Sequence, residues 1–318
     1  MALHGQLGGD LRARPTSMDD LSGVLDLITL VDIEALGEAD IDSDELRTDW
    51  QTPGFDLDRD SLVVEHPTDG IVGYLLAMAE PGAEVFIDTY THPNHRADTH
   101  LESFLLDEGL ARANAAARRE RWPSWTAAVW TVEGDARLDD IATLGFEPTR
   151  QFLRMAIDLD APPEVAMPAG IRLQNPASDD DHRLAHRLAN EAFVDHWNHH
   201  ADTWEAFRSR RIEREEYDPA LWWIARDAAD HNPLGIVIGR AMPTLGTGWV
   251  SMLGVLPPAR GRGLGGALLR AAFASIHARG ISHVELSVDA NSTTGATRLY
   301  EREGMTHKFT LTRHELPY

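Results

Sequence analysis

Along the second half of the chain, short runs rich in β-branched and aromatic residues alternate with longer stretches of helical spacing. Residues 171–175 read as a strand, followed by helices over 180–194 and 203–215. Strands come next over 222–226, 235–242 and 248–256, with the composition of a buried pleat. A long amphipathic helix is expected over 264–278, then a strand over 283–289, a short helix over 293–303 and a last strand over 308–315. Such an order describes an α/β (α+β) domain built on a mixed sheet.

The first half repeats this pattern at a spacing of about 160 residues. Residues 11–20 match 171–180, a short strand meeting a turn with a helix-capping serine and acidic first-turn residues. The apolar run 71–75 matches 234–238, and Gly145-Phe146-Glu147-Pro148 with Arg154 matches Gly304-Met305-Thr306-His307 with Arg313. A Pro- and Ala-rich stretch, 161–170, separates the copies as a linker should. Two related domains in tandem are expected, 1–160 and 171–318.

Composition narrows the classes of function. Apolar content of 43% and charged content of 25% are those of a globular protein. There is no cysteine, which excludes disulfides, zinc-thiolate centres and thiol nucleophiles. A net charge of −22 repels nucleic-acid phosphates and anionic membranes, so neither is expected as a partner. Residues 1–15 lack the apolar core of a signal peptide, and no apolar stretch is long enough to span a bilayer. The expected location is the cytoplasm, as a monomer or homodimer.

The richest chemistry lies at Val255-Leu256-Pro257-Pro258-Ala259-Arg260-Gly261-Arg262-Gly263-Leu264-Gly265. An apolar strand runs into a glycine- and arginine-rich turn that opens into a helix. Glycines allow successive backbone N–H groups to face one anion, and the helix N-terminus adds its dipole and its unsatisfied amides. Arg260 and Arg262 supply charge and forked donors suited to phosphate oxygens. The segment reads as a pyrophosphate cradle, yet it has neither the GxGxxG of a dinucleotide site nor the GxxxxGK[ST] of a nucleotide triphosphate loop.

The order Arg-x-x-Gly-x-Gly, filled by Arg260, Gly263 and Gly265, resembles the acyl-CoA loop of the GCN5-related N-acetyltransferases (GNAT). A second block in the same order strengthens the likeness: Ser287 to Asn291, Gly295-Ala296, and Leu299 to Met305 with Tyr300 inside it. The tandem arrangement resembles the acetyltransferases that include mycothiol synthase. The resemblance implies two tandem GNAT-like domains, each a mostly antiparallel splayed sheet flanked by helices, with acetyl-CoA as co-substrate and no metal. It implies that Leu253, Gly254 and Val255 meet the pantetheine arm, that residues 260–265, including Gly261 and Leu264, hold the diphosphate, that Asn291 adds to the cofactor site, and that Tyr300 hydrogen-bonds the departing sulfur. In the first copy Arg96 corresponds to Arg260, but Thr99 and Leu101 stand for the two glycines, Asp98 for Arg262 and Ile141 for Tyr300. That copy is expected to be degenerate.

The expected reaction is acetyl transfer to the primary amine of a small molecule by direct attack in a ternary complex. Alternatives are an acyl-CoA-binding sensor without turnover and a protein N-acetyltransferase. Many GNAT relatives carry a glutamate on the strand before the loop, and mycothiol synthase-like ones place it where Trp249 stands; the stretch Trp249 to Leu253 holds no acid. Candidates from elsewhere are Glu191, Asp195, His196 and Glu285, with Trp197 as a wall of the amine cleft. His196 and His200 would share a helical face, but no third metal ligand is placed by spacing.

Overall fold

The protein is described as a computed structural model covering residues 7–96, 99–194, 196–292 and 294–318. The first copy supplies β1 (Arg12–Pro15), α1 (Leu21–Leu36), α2 (Ser43–Trp50), α3 (Leu57–Asp60), β2 (Ser61–His66), β3 (Gly70–Glu80) and β4 (Glu84–Thr91). It continues with α4 (Thr99–Glu120), β5 (Thr126–Val132), α5 (Leu138–Thr143) and β6 (Glu147–Asp158). The second copy supplies β7 (Ile171–Gln174), α6 (Asp179–Ala192), α7 (Trp204–Arg211), β8 (Trp222–Asp227), β9 (Pro233–Met242) and β10 (Thr247–Val255). It ends with α8 (Leu264–His277), β11 (His283–Asp289), α9 (Ala296–Arg302) and β12 (Thr306–Pro317).

Local chemistry accounts for most boundaries. Ser178 caps α6 by accepting the Asp181 N–H at 3.2 Å, while the Asp181 carboxylate accepts the Ala177 N–H at 3.2 Å, so two orphan amides are satisfied. The helix α7 stops at Arg211, short of the expected 215; Phe207 is its one buried residue, with Trp204 and Ile212 partly buried against the same core. In α8, nine of its residues are buried against the sheet, including Leu268, Leu269, Phe273 and Ile276. They join Ile236, Val237, Ile238, Val284 and Leu286 in one apolar core.

The chain forms two compact units, but the linker does not divide them. One unit is 1–151 with 310–318; the other is 152–309. The first unit's sheet runs β1-β2-β3-β4-β5-β12 and the second's runs β7-β8-β9-β10-β11-β6. In both, neighbours are antiparallel except one central parallel pair, β4 with β5 and β10 with β11. The topologies are identical apart from the last strand, which each copy contributes to the other unit. Leu311 to Pro317 of β12 pair with Val132 to Thr126 of β5, and Phe152 to Asp158 of β6 pair with Asp289 to His283 of β11. The expected cut at 161–170 is therefore corrected, because sequence repeats mark ancestry of a segment and not which edge its last strand fills.

A fragment covering 171–318 leaves the edge of β11 without its partner strand, whereas 152–309 retains it. We expect 152–309 to unfold cooperatively in urea and 171–318 to aggregate or lack a transition, as read by circular dichroism and gel filtration. Equal cooperativity of the two fragments would contradict the exchanged-strand arrangement.

Candidate functional site

The parallel pair in the second unit is short. Thr247, Gly248 and Trp249 pair with His283, Val284 and Glu285, and the register ends there. Beyond it β10 stays bonded to β9 as far as Val255, with a bulge between Val250 and Met252, and β11 stays bonded to β6 as far as Asp289. The two strands thus splay into a wedge whose inner edges are main-chain groups of 250–255 on one side and 286–289 on the other. A buried backbone edge of this kind needs hydrogen-bonding partners. An extended ligand with amide groups can lie in it as an added strand.

The Pro257–Ala259 turn and the start of α8 sit directly beyond the end of β10. Gly261 has φ +75° and Gly263 has φ +79°, a left-handed backbone that costs other residues roughly 1–2 kcal/mol. Gly263 is the N-cap of α8, with no side-chain cap and no acidic residue in the first turn. By contrast, α6 opens with Asp179, Asp180 and Asp181. An uncapped helix start in a chain of net charge −22 leaves amides and positive dipole for an anion. Arg262 is exposed beside it and Leu264 is buried under it.

Two residues expected at the cofactor also make close contacts within the protein. The Arg260 guanidinium donates to the Val255 carbonyl at 3.0 Å and to the Ala192 carbonyl at 3.3 Å, stapling the end of β10 to the end of α6. Gly265 provides close packing: a Cβ there would lie 3.0 Å from Leu299 Cδ2 on α9. Gly254 has a similar role, since a Cβ would lie 2.6 Å from that of Ala192 and 3.1 Å from the Phe193 ring. The C-terminal end of α6 therefore presses on the wedge. His196 stacks on Phe193 with ring centroids 4.5 Å apart, Trp197 is 38% exposed, and Glu191 is exposed on the last turn of α6. Asp195, Asp98 and Ala97 lie outside the described residues.

Tyr300 projects from α9 and is 8% exposed. Burial pushes its pKa up to about 12, so it is a neutral donor throughout the ordinary pH range. Asn291 is exposed, its N–H donating at 2.9 Å to Asp289, which fixes the turn after β11.

Below the parallel rows lies a buried ionic cluster that sequence reasoning named only in part. Glu285, 2% exposed, accepts from Arg154 at 3.1 Å, His283 at 2.8 Å and Lys308 at 2.5 Å. Burial alone would raise its pKa, but the Lys308 and His283 hydrogen bonds and the nearby cations outweigh that and hold it below the usual range. Such a carboxylate is a weak base, so Glu285 does not fit the role of deprotonating an amine. Burial lowers the His283 pKa while Asp158 and Glu285 raise it, and the net shift is upward. Arg154 comes from the exchanged β6 and lies over Trp249, 4.5 Å from the ring centroid, and over Phe309 at 5.0 Å. The Arg154/Arg313 match between the halves was the signal for this cluster. Arg313 of β12 holds Glu84 and Glu315 in the first unit, over Trp130.

The first unit has the same splay, with only Glu84 to Phe86 paired to Thr126 to Ala128. Its wedge, however, is filled from within. Arg137 donates to the Thr89 carbonyl on β4 at 3.1 Å and to the Trp130 carbonyl on β5 at 2.8 Å, bridging the two strands. Asp135 at 2.7 Å and Asp88 at 3.5 Å balance its charge. Glu102, in the first turn of α4, accepts from Thr91 at 2.6 Å and Thr89 at 3.2 Å. Arg96 is paired with Glu34, and Ile141 is fully buried. In the first unit, then, a side chain with its paired carboxylates bridges the two splayed strands.

Comparison with known proteins agrees with this geometry. Residues 185–305 match the acetyltransferase (GNAT) family. A mycothiol acetyltransferase from Beutenbergia cavernae is 31% identical over 278 residues, spanning 83% of this chain and 85% of that one. A solved GCN5-related N-acetyltransferase from Sphaerobacter thermophilus is similar with a TM-score of 0.81 and 30% identity, covering 98% of this chain and 97% of that one. A tandem GNAT protein from the clavulanic acid biosynthesis pathway shares the fold, with a TM-score of 0.71 at 18% identity over 96% and 98% of the two chains. The chain belongs to the GNAT family of acetyltransferases, which use acetyl-CoA. Among the described residues no helix is long and apolar enough to cross a membrane.

Replacing Arg137 by Leu leaves Asp88 and Asp135 without their shared cation in a largely buried wedge, and a loss of about 3 kcal/mol is expected in urea unfolding. In contrast, Glu285→Gln should leave the pH profile of turnover unchanged while lowering the melting temperature. Loss of an acid limb from that profile would restore Glu285 as the base.

Proposed function

We propose that the second unit binds acetyl-CoA in the wedge between β10 and β11 and transfers its acetyl group to the primary amine of a small molecule by direct attack in a ternary complex. The observation that carries this reading is the conjunction of an open strand wedge with an uncapped, acid-free helix start at its mouth. Main-chain groups of Leu253, Gly254 and Val255 take the pantetheine arm, and the amides of 263–265 with Arg262 take the diphosphate. Arg260 acts from behind, fixing the loop against α6. Trp197 and His196 border the acceptor side.

The amine nitrogen attacks the thioester carbonyl, the carbon–sulfur bond breaks, and the sulfur leaves as a thiolate that collects a proton. Tyr300, with its pKa near about 12, faces a thiol of about 8.5; full proton transfer would be uphill by about 5 kcal/mol. Its contribution is a hydrogen bond to the sulfur as charge develops, and the proton comes from the protonated nitrogen of the tetrahedral adduct, directly or through water, leaving a neutral amide and the free thiol. With Glu285 held acidic and Trp249 at the strand position, the amine enters as its own free-base fraction. A lysine-like amine of pKa ~10.4 costs about 4–5 kcal/mol to present neutral at pH 7, an α-amine of ~8 about 1 kcal/mol. The curated relative's name supports a small acceptor, and the second of these costs favours an α-amine.

Gly263→Asp should weaken acetyl-CoA binding at least ~100-fold in calorimetry, through charge repulsion and a disfavoured backbone angle. Tyr300→Phe should lower kcat by roughly 10- to 100-fold with little change in acetyl-CoA affinity. Intact binding in the glycine variant would refute the cradle. An unchanged kcat in the tyrosine variant would remove Tyr300 from the mechanism. For the wild type, kcat/KM should rise with pH towards the pKa of the amine, and Tyr300 should add no downturn below about 12.

A further inference from the structure

The turn that follows β4 occupies the topological place of the turn after β10, but its residues are His92-Pro93-Asn94-His95, where the second copy has Leu256-Pro257-Pro258-Ala259. Ala259 is buried, whereas His95 reaches out over the neighbouring hairpin. There it meets Asp69, from the turn between β2 and β3, and His66, the last residue of β2.

Asp69 Oδ2 lies 2.8 Å from His95 Nε2 and 3.3 Å from His66 Nδ1, and the three donor atoms all fall within 4.8 Å of one another. The Thr68 hydroxyl donates to the other carboxylate oxygen, Oδ1, at 2.7 Å and lies 3.2 Å from His66 Nδ1. That bond orients the carboxylate so that Oδ2 faces both imidazoles. His92 backs the group, its ring edge-on to His95 at 5.6 Å and its Nδ1 accepting the Asn94 N–H at 3.2 Å. The neighbouring cation, Arg96, is neutralised by Glu34 and does not oppose a second positive charge.

We infer that the first unit binds a zinc-class divalent metal ion through His66 Nδ1, Asp69 Oδ2 and His95 Nε2. Two nitrogens and one carboxylate oxygen are a borderline donor set that suits zinc better than calcium or magnesium, which prefer oxygen alone. Tetrahedral coordination at about 2.0–2.1 Å sets ligand atoms about 3.3 Å apart, a spacing that Asp69–His66 has at 3.3 Å and that Asp69–His95, at 2.8 Å, approaches to within about half an ångström. The fourth position is left to water. The three ligands come from one hairpin and one loop, so the ion would clasp the segment that replaced the phosphate cradle to the edge of its own sheet. Thr68 would act from outside the ligand set, as hydrogen-bonded partners of ligating carboxylates do. The inference stands apart from acetyl-CoA binding in the second unit.

The test is calorimetric titration of chelator-treated full-length protein with zinc chloride, repeated on His95→Ala, Asp69→Asn and a His199→Ala/His200→Ala control. The expected result is one equivalent bound more tightly than about 10 μM, at least ~10-fold weaker in the first two variants and unchanged in the control. Zinc should also raise the melting temperature of wild type and control but not of the first two. Affinity weaker than about 10 μM, equal binding by wild type and Asp69→Asn, or a loss that follows His199 and His200 would each overturn the site. Asp69→Asn changes no volume, so it decides the matter should His95→Ala fail to fold.

Discussion

Two parallel strands that separate after three paired rows leave main-chain donors and acceptors facing a gap, and those groups must be satisfied. This constraint occurs twice in the chain and is met in two ways. The first unit meets it internally, with one guanidinium donating to carbonyls on both strands and two carboxylates holding it there. The second unit has no such plug among its described residues, and its gap continues into a helix start without cap or acid. The two wedges therefore differ in whether a side chain of the protein itself bridges their strands.

In the first copy an acid stands in the first turn of α4, where Glu102 accepts from two threonines of β4. Asp88 lies close by, half-buried, with its pKa raised by burial, and it is tolerated because Arg137 supplies the opposing charge. A site designed around a charged ligand becomes a core once the protein supplies that charge itself.

Strand exchange ties the two copies together more firmly than the repeat pattern suggests. Each exchanged strand brings an arginine to a glutamate of the unit it joins, Arg154 to the buried Glu285 and Arg313 to the part-buried Glu84, each arginine over a tryptophan. In the second unit this has a chemical consequence. Glu285, an acid that position alone would nominate for catalysis, is surrounded by three cations and kept acidic.

What the sequence determined by itself was what depends on neighbours along the chain: the alternation of strands and helices, the duplication, the glycine turn opening a helix, and the position of Tyr300. These rest on propensity, capping and backbone angle, which act over a few residues. Only the tertiary structure decided where the last strands pair, that Arg260 staples a carbonyl of α6, that Arg137 fills one wedge, and that His66, Asp69 and His95 converge. Each of those joins residues tens to hundreds of positions apart, and an ion pair or a strand edge is chosen by the geometry of the packed sheet, which leaves no local pattern to read.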